Sequence, residues 1–138
     1  MCIRDSLILL STAYDLTGDS DYLAAVRSGM DYLLGRNALN KSFVSGYGEY
    51  PLLHPHHRFW ANIPSGGYPP PPPGAVSGGP NADPTDPDAL DAGLLSAAPA
   101  LRYIDALGSY STNEITINWN APFAWVVTYL DLTADQGR

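Results

Sequence analysis

Apolar residues run almost unbroken through good helix formers over residues 7–15, and Thr17-Gly18-Asp19-Ser20 then interrupts them. Glycine accepts a positive φ, and Asp or Ser caps the helix that follows, so the interruption predicts a helix end and a turn. Beyond it Tyr22, Leu23, Val26, Met30, Leu33 and Leu34 recur at three- and four-residue steps. That spacing predicts an amphipathic helix over residues 21–34, ended near Gly35 and Asn37. Two helices joined by so short a turn form an antiparallel helical hairpin. A last helix is predicted over about residues 113–132. Its apolar positions, Ile115, Trp119, Pro122, Phe123, Val126, Val127 and Leu130, are too many for one narrow stripe, so burial on most sides is expected. Pro122 lies inside this pattern and is expected to kink or break the helix.

Residues 38–108 carry most of the glycines and nearly all of the prolines, with the run over residues 69–73 necessarily extended and polyproline-like. A stretch of this length without regular structure is either functional or a linker. The proline run reads as a stiff surface connector, or alternatively as a ligand for an aromatic-groove adaptor domain. A weak helix is predicted near residues 90–98. No internal repeat is visible.

The composition, 45% hydrophobic with 15% charged residues over 138 positions, is that of one folded unit. A formal net charge of -7 with no Lys/Arg cluster disfavours nucleic acid and suits a neutral ligand such as a polysaccharide. No apolar run reaches the length of a membrane-spanning helix. Cys2 is the only cysteine, which leaves no internal disulfide and no thiolate metal cage. Residues 1–6 fit neither a convincing signal peptide nor the helix pattern. They are set apart as a candidate non-native leader, with residues 7–138 as one unit.

Two polar clusters carry the candidate chemistry. Glu114 sits where a polar loop gives way to an apolar run. Ser111-x-x-Glu114 has the form of a capping box, in which the serine caps a helix and the glutamate reaches back to a backbone N–H. The flanking Tyr110, Asn113, Asn118, Trp119 and Asn120 allow another reading, of hydrogen bonders and stacking rings furnishing a sugar site around one acid. A carboxyl half-buried against aromatics becomes a usable general acid, because desolvation disfavours its anion. The second cluster, His54-Pro55-His56-His57-Arg58, holds all three histidines. His-x-His is a metal-ligand spacing, but no neighbouring Cys or acid completes a tetrahedral set, and Glu49 is a poor candidate, so no metal is assigned. Imidazole N–H groups and a guanidinium fork suit sugar hydroxyls and a carboxylate better. A loop of ordinary solvated histidines is the remaining alternative. Asp83, Asp86, Asp88 and Asp91 read as acids solvating a loop, with calcium as a weaker alternative.

Five motifs in order carry a resemblance: Tyr32-Leu33-Leu34-Gly35-Arg36-Asn37, Ser42-Phe43-Val44-Ser45-Gly46-Tyr47-Gly48, His54-Pro55-His56-His57-Arg58, Gly78-Gly79-Pro80-Asn81 and the block over residues 109–122. Together they resemble the C-terminal third of the catalytic domain of glycoside hydrolase family 9, the endoglucanase (cellulase) family, over about residues 7–132. The resemblance implies an all-α fold, part of a six-hairpin (α/α) toroid with a long Gly/Pro-rich loop region, and hydrolysis of β-1,4-glucan such as cellulose with inversion. It matches Glu114 to the general acid, and His56 and Arg58 to a pair lining the subsites beside the scissile bond. Trp119 matches an aromatic position that follows the acid. An inverting hydrolase also needs a base, and the family's base lies in an Asp-Ala-Gly-Asp-like motif near the start of the catalytic domain, outside this chain. Asp91-Ala92-Gly93 shares letters with that motif but lies in the wrong part of the chain. The expectation is therefore the acid-bearing part of an endo-β-1,4-glucanase, secreted as family members mostly are, whose partner is the missing N-terminal part of its own domain. No cofactor is expected, calcium being a candidate only in a full-length parent. The alternatives are a non-catalytic carbohydrate-binding helical module and an interaction protein working through residues 69–73. The site reading requires Glu114 to meet His56 and Arg58 across one concave surface.

Overall fold

The computed structural model describes residues 3–63 and 66–136, so Met1 and Cys2 of the candidate leader lie outside it. Five helices occur in order among the described residues: α1 (Ile3–Thr17), α2 (Ser20–Leu33), α3 (Pro87–Asp91), α4 (Tyr110–Asn113) and α5 (Ile117–Gln136), with single 3-10 turns at Leu94–Ser96 and Pro99–Leu101. The described residues contain isolated bridges and no strand, so the fold is all-α.

The predicted hairpin is α1 and α2. Gly18 takes φ +69, its N–H bonding to the Tyr14 carbonyl at 2.8 Å, and extended Asp19 accepts from the Asp21 N–H at 3.0 Å. A left-handed residue closing one helix and an aspartate capping the next turn the chain within three positions. Helix α1 begins at Ile3 and so takes in part of the stretch set apart as a leader; Arg4 is buried, bonding to the Ser77 carbonyl at 3.1 Å. The hairpin packs against α5, and the loops supply the floor of the core: Leu7, Val26, Met30 and Leu33 meet Phe123 and Val126 over Phe43, Val44, Val76 and Tyr103. The Phe43 ring meets Tyr103 edge-on at 4.8 Å. Burying one such side chain stabilises a fold by roughly 1.5–3 kcal/mol.

Two expectations for the last helix are corrected. First, it begins at Ile117 rather than near Asn113, because Glu114 is extended at φ -69 and ψ 144 and separates α5 from the short α4 before it. An extended residue there satisfies its neighbours through bonds to His56 and Gly78 that helical backbone could not make. Second, α5 is buried along one face only: Phe123 and Val126 are inside, while Trp125 is 42% and Ile117 83% exposed. Pro122 does not end α5, which runs through it to Gln136. The proline lies near the helix start, where its missing N–H removes a single bond. The weak helix expected near residues 90–98 is instead α3 followed by the two 3-10 turns.

Outside α3 and the two 3-10 turns, the described residues of 38–108 have no regular secondary structure. Extended segments lie side by side, paired through single residues: Val44 with Val76, Ser77 with Ile115, and Glu114 with His56. The file is tied by the Ser77 N–H to the Phe43 carbonyl at 3.0 Å and the Gly78 N–H to the Glu114 carbonyl at 3.0 Å. This narrow ladder brings the two polar clusters of the sequence together. No helix among the described residues is long and apolar enough to cross a membrane.

Candidate active site

Glu114 is delivered by its own main chain. On one side the His56 N–H bonds to the Asn113 carbonyl at 3.0 Å and the Ile115 N–H to the His56 carbonyl at 3.4 Å; on the other Gly78 holds the Glu114 carbonyl. The capping-box reading fails on this geometry. Ser111 lies inside α4 rather than at an N-cap, its hydroxyl donates to Asp86, and Glu114 is the residue that follows the last one of α4. Glu114, His56 and Arg58 line one cleft of about 890 Å³, with His57, Phe59, Tyr68 and Leu107 among the other lining residues. The two polar clusters therefore share a concave surface.

The ring nitrogens of the histidines are assigned by their partners. His56 Nδ1 lies 2.6 Å from the Leu107 carbonyl, so it carries the proton and Nε2 is left for another partner. The Tyr110 ring stands edge-on to His56 at 5.9 Å. His57 Nδ1 accepts from the Phe59 and Trp60 N–H groups at 3.2 and 3.3 Å, and its ring stacks on Trp60 at 4.3 Å. His54 contributes through its backbone, its N–H donating to Asp105 at 2.8 Å. These are fixed, oriented groups rather than a solvated histidine loop.

Trp119 is not among the residues that line this cleft. Its ring packs against the core cluster, backed by Gly78 and with the Arg4 guanidinium 5.7 Å from its centroid. Of the other flanking residues, Asn113 is buried, accepting from the Tyr103 hydroxyl at 2.6 Å and donating to the His54 carbonyl at 2.7 Å. Asn120 brackets the Val76 backbone with bonds of 2.9 and 3.0 Å. Both are ties between segments, with their hydrogen-bonding groups occupied by protein.

Two acids matter that the sequence reading passed over or misplaced. Asp105 accepts from the Leu53 and His54 N–H groups at 2.9 and 2.8 Å and pairs with Lys41 at 3.0 Å, anchoring the strand-like approach to His56. The available signal is an acid inside the apolar run Tyr103-Ile104-Asp105-Ala106-Leu107, where burial demands partners. Its charge, added to the larger effect of burial, raises the pKa of the Tyr103 hydroxyl. Asp86, expected to solvate a loop, is fully buried. Burial would raise its carboxyl, but hydrogen bonds from the Ser111 hydroxyl, the Ala89 and Ser111 N–H groups and the Ser109 hydroxyl hold it below the ordinary carboxylate range. Asp-Pro at a helix start is the signal that marks it as an N-cap. Among the described residues no three His, Cys, Asp or Glu side chains gather closely enough to hold a metal ion.

Residues 3–127 match the family described as Glycosyl hydrolase family 9. The chain is 53% identical over 129 residues to a cellulose 1,4-beta-cellobiosidase of Acetivibrio thermocellus, covering 94% of this chain and 14% of that protein. It is 44% identical over 140 residues to endoglucanase C of Cellulomonas fimi, covering 98% of this chain and 12% of that protein. The solved structure of a GH9 protein from Bacteroides ovatus superposes with a TM-score of 0.77 at 36% identity, over 96% of this chain and 21% of that one. The chain thus spans only a small part of the length of each.

Proposed function

The chain belongs to glycosyl hydrolase family 9, its helices forming a portion of that family's (α/α) barrel, and we propose that it is the acid-bearing part of an enzyme cleaving β-1,4-glucosidic bonds of cellulose or a related glucan. The observation that carries this reading is the shared cleft, in which Glu114 stands with His56 and Arg58. In it Glu114 protonates the departing glycosidic oxygen, while His56 and Arg58 orient the sugar hydroxyls beside it. Hydrolysis with inversion requires a second carboxylate, about 6.5–9.5 Å from the acid, to activate water on the opposite face. Glu114 is the one carboxylate lining this cleft among the described residues, and Asp105 is occupied by its own partners. The base is therefore assigned to the remainder of a longer protein acting outside the cell, with no cofactor of its own. The names of the relatives, a cellobiosidase and an endoglucanase, support the glucan substrate class.

The test is Glu114→Gln in the longer enzyme carrying this sequence. General acid catalysis contributes about 10²–10⁴-fold, so turnover on cellulose should fall at least ~100-fold with little change in melting temperature. A dinitrophenyl cellobioside, whose leaving group needs little protonation, should be affected far less. Equal and near-normal cleavage of both substrates by the folded variant would rule the acid role out.

A further inference from the structure

Protonation of a leaving oxygen requires Glu114 to be held in one place, and the α4 turn that precedes it is gripped by a residue that does not line the cleft. Asp86 is 0% exposed. Its Oδ2 accepts from the Ser109 hydroxyl at 3.0 Å, from the Ser111 N–H at 3.1 Å and from the Ser111 hydroxyl, while Oδ1 accepts from the Ala89 N–H at 2.8 Å and caps α3. Ser109 and Ser111 bracket Tyr110, the first residue of α4, and the helix ends at Asn113, immediately before Glu114. We propose that Asp86 is a positioning residue for Glu114, a buried carboxylate that binds α3 to the α4 turn and so fixes where the acid enters the cleft. This rests on the reading of Glu114 as the acid.

The donor pattern explains why a carboxylate stands there. Three donors converge on one oxygen and a fourth on the other, a set that only an acceptor-only group satisfies at both ends. An amide in its place would turn an NH₂ toward one of those donors and lose either the α3 cap or the α4 tie. The neighbouring Asp88 grips the same segment one step earlier, accepting from the Gly108 N–H at 3.0 Å. Gly108 follows Leu107, whose carbonyl receives the His56 ring. Helix α3 and its cap thus hold the segment that orients both the histidine and the acid, through Asp86 and Asp88, neither of which lines the cleft.

The experiment uses the longer enzyme with Asp86→Asn, Ser111→Ala, Glu114→Gln and, as a control, Asp91→Asn on the exposed side of α3. A displacement of about 1 Å in a reacting group costs up to ~10²-fold. Asp86→Asn should therefore lower kcat on β-1,4-glucan at least ~10-fold with KM within about twofold, in protein shown by circular dichroism to be folded. The dinitrophenyl cellobioside should lose less than about threefold, since misplacing the acid matters little to it. Ser111→Ala, which removes one donor and keeps the carboxylate, should show the same pattern more weakly, and Asp91→Asn should match the parent enzyme. A folded Asp86→Asn enzyme with unchanged kcat, or with equal losses on both substrates, overturns the positioning role. If Asp86→Asn does not fold, Ser111→Ala decides by the same criterion. Loss of glucan turnover in Glu114→Gln alone sinks only the positioning role. Normal turnover in Glu114→Gln removes the acid reading and the positioning role with it.

Discussion

At the scale of residues, the polar groups around the cleft divide by what their hydrogen bonds reach. Asn113, Asn120 and Asp105 bond to backbone 44–59 residues away, whereas Glu114 and His56 line the cleft. Sequence spacing exposes polarity but not partners, so Asn113 and Asn120 look like sugar contacts from their neighbours alone. Two glycines of the loop region can be judged more directly. Gly48 sits at φ +79, and a Cβ there would fall on the Leu34 carbonyl oxygen that the Glu49 N–H already uses at 2.9 Å. Gly74 sits at φ +92 with open space around its Cβ position. Gly48→Ala should destabilise by more than about 1 kcal/mol and by more than Gly74→Ala, which meets strain but no clash. Denaturant midpoints of the two variants check the order.

Among the elements, the α1–α2 hairpin was legible because every signal for it is local: the apolar period, the glycine and the capping aspartate lie within one stretch. The break between α4 and α5 was not. Ser111-x-x-Glu114 followed by apolar residues mimics a helix start, and the bonds that pull Glu114 out of helix come from His56 and Gly78. Helix α5 is fastened to α1 by Tyr129, whose hydroxyl donates to Asp15 at 2.6 Å and lies 3.2 Å from the Ser11 carbonyl. Burial, then the hydrogen bond and charge of Asp15, push the Tyr129 hydroxyl up to about 12. The folded state thus holds this proton more tightly than the unfolded chain, whose tyrosines titrate near about 10. Its stabilising effect is complete below about pH 10 and is lost as pH rises through about 12. The denaturant midpoint of the parent should fall over that interval, and Tyr129→Phe should flatten the dependence. An identical alkaline fall in both proteins would locate the titration elsewhere.

For the whole molecule, the all-α class and the meeting of His56, Arg58 and Glu114 were legible because family motifs encode a common frame. Which helix faces are covered was not. Leu9 is 72% and Leu16 81% exposed on α1, and Trp125 and Leu132 are exposed on α5, so the outer faces carry apolar surface that composition alone does not assign. With a single carboxylate in its cleft, the 138-residue chain alone should release no reducing ends from carboxymethyl-cellulose, and measurable release would contradict the division of acid and base proposed above. The one-residue bridges have a different consequence. Phe59, Ala61, Ile63 and Tyr68, which form one wall of the cleft, belong to a loop stapled at its near end by the His56–Glu114 pair and at its far end by the Val44–Val76 and Ser77–Ile115 pairs. Doubling the length of such a closed loop costs only about 0.6 kcal/mol in closure entropy. The wall is therefore an exchangeable cassette: insertions and deletions there can reshape what the cleft admits while the acid and its histidine keep their registration, so substrate range can drift without the reaction having to be rebuilt.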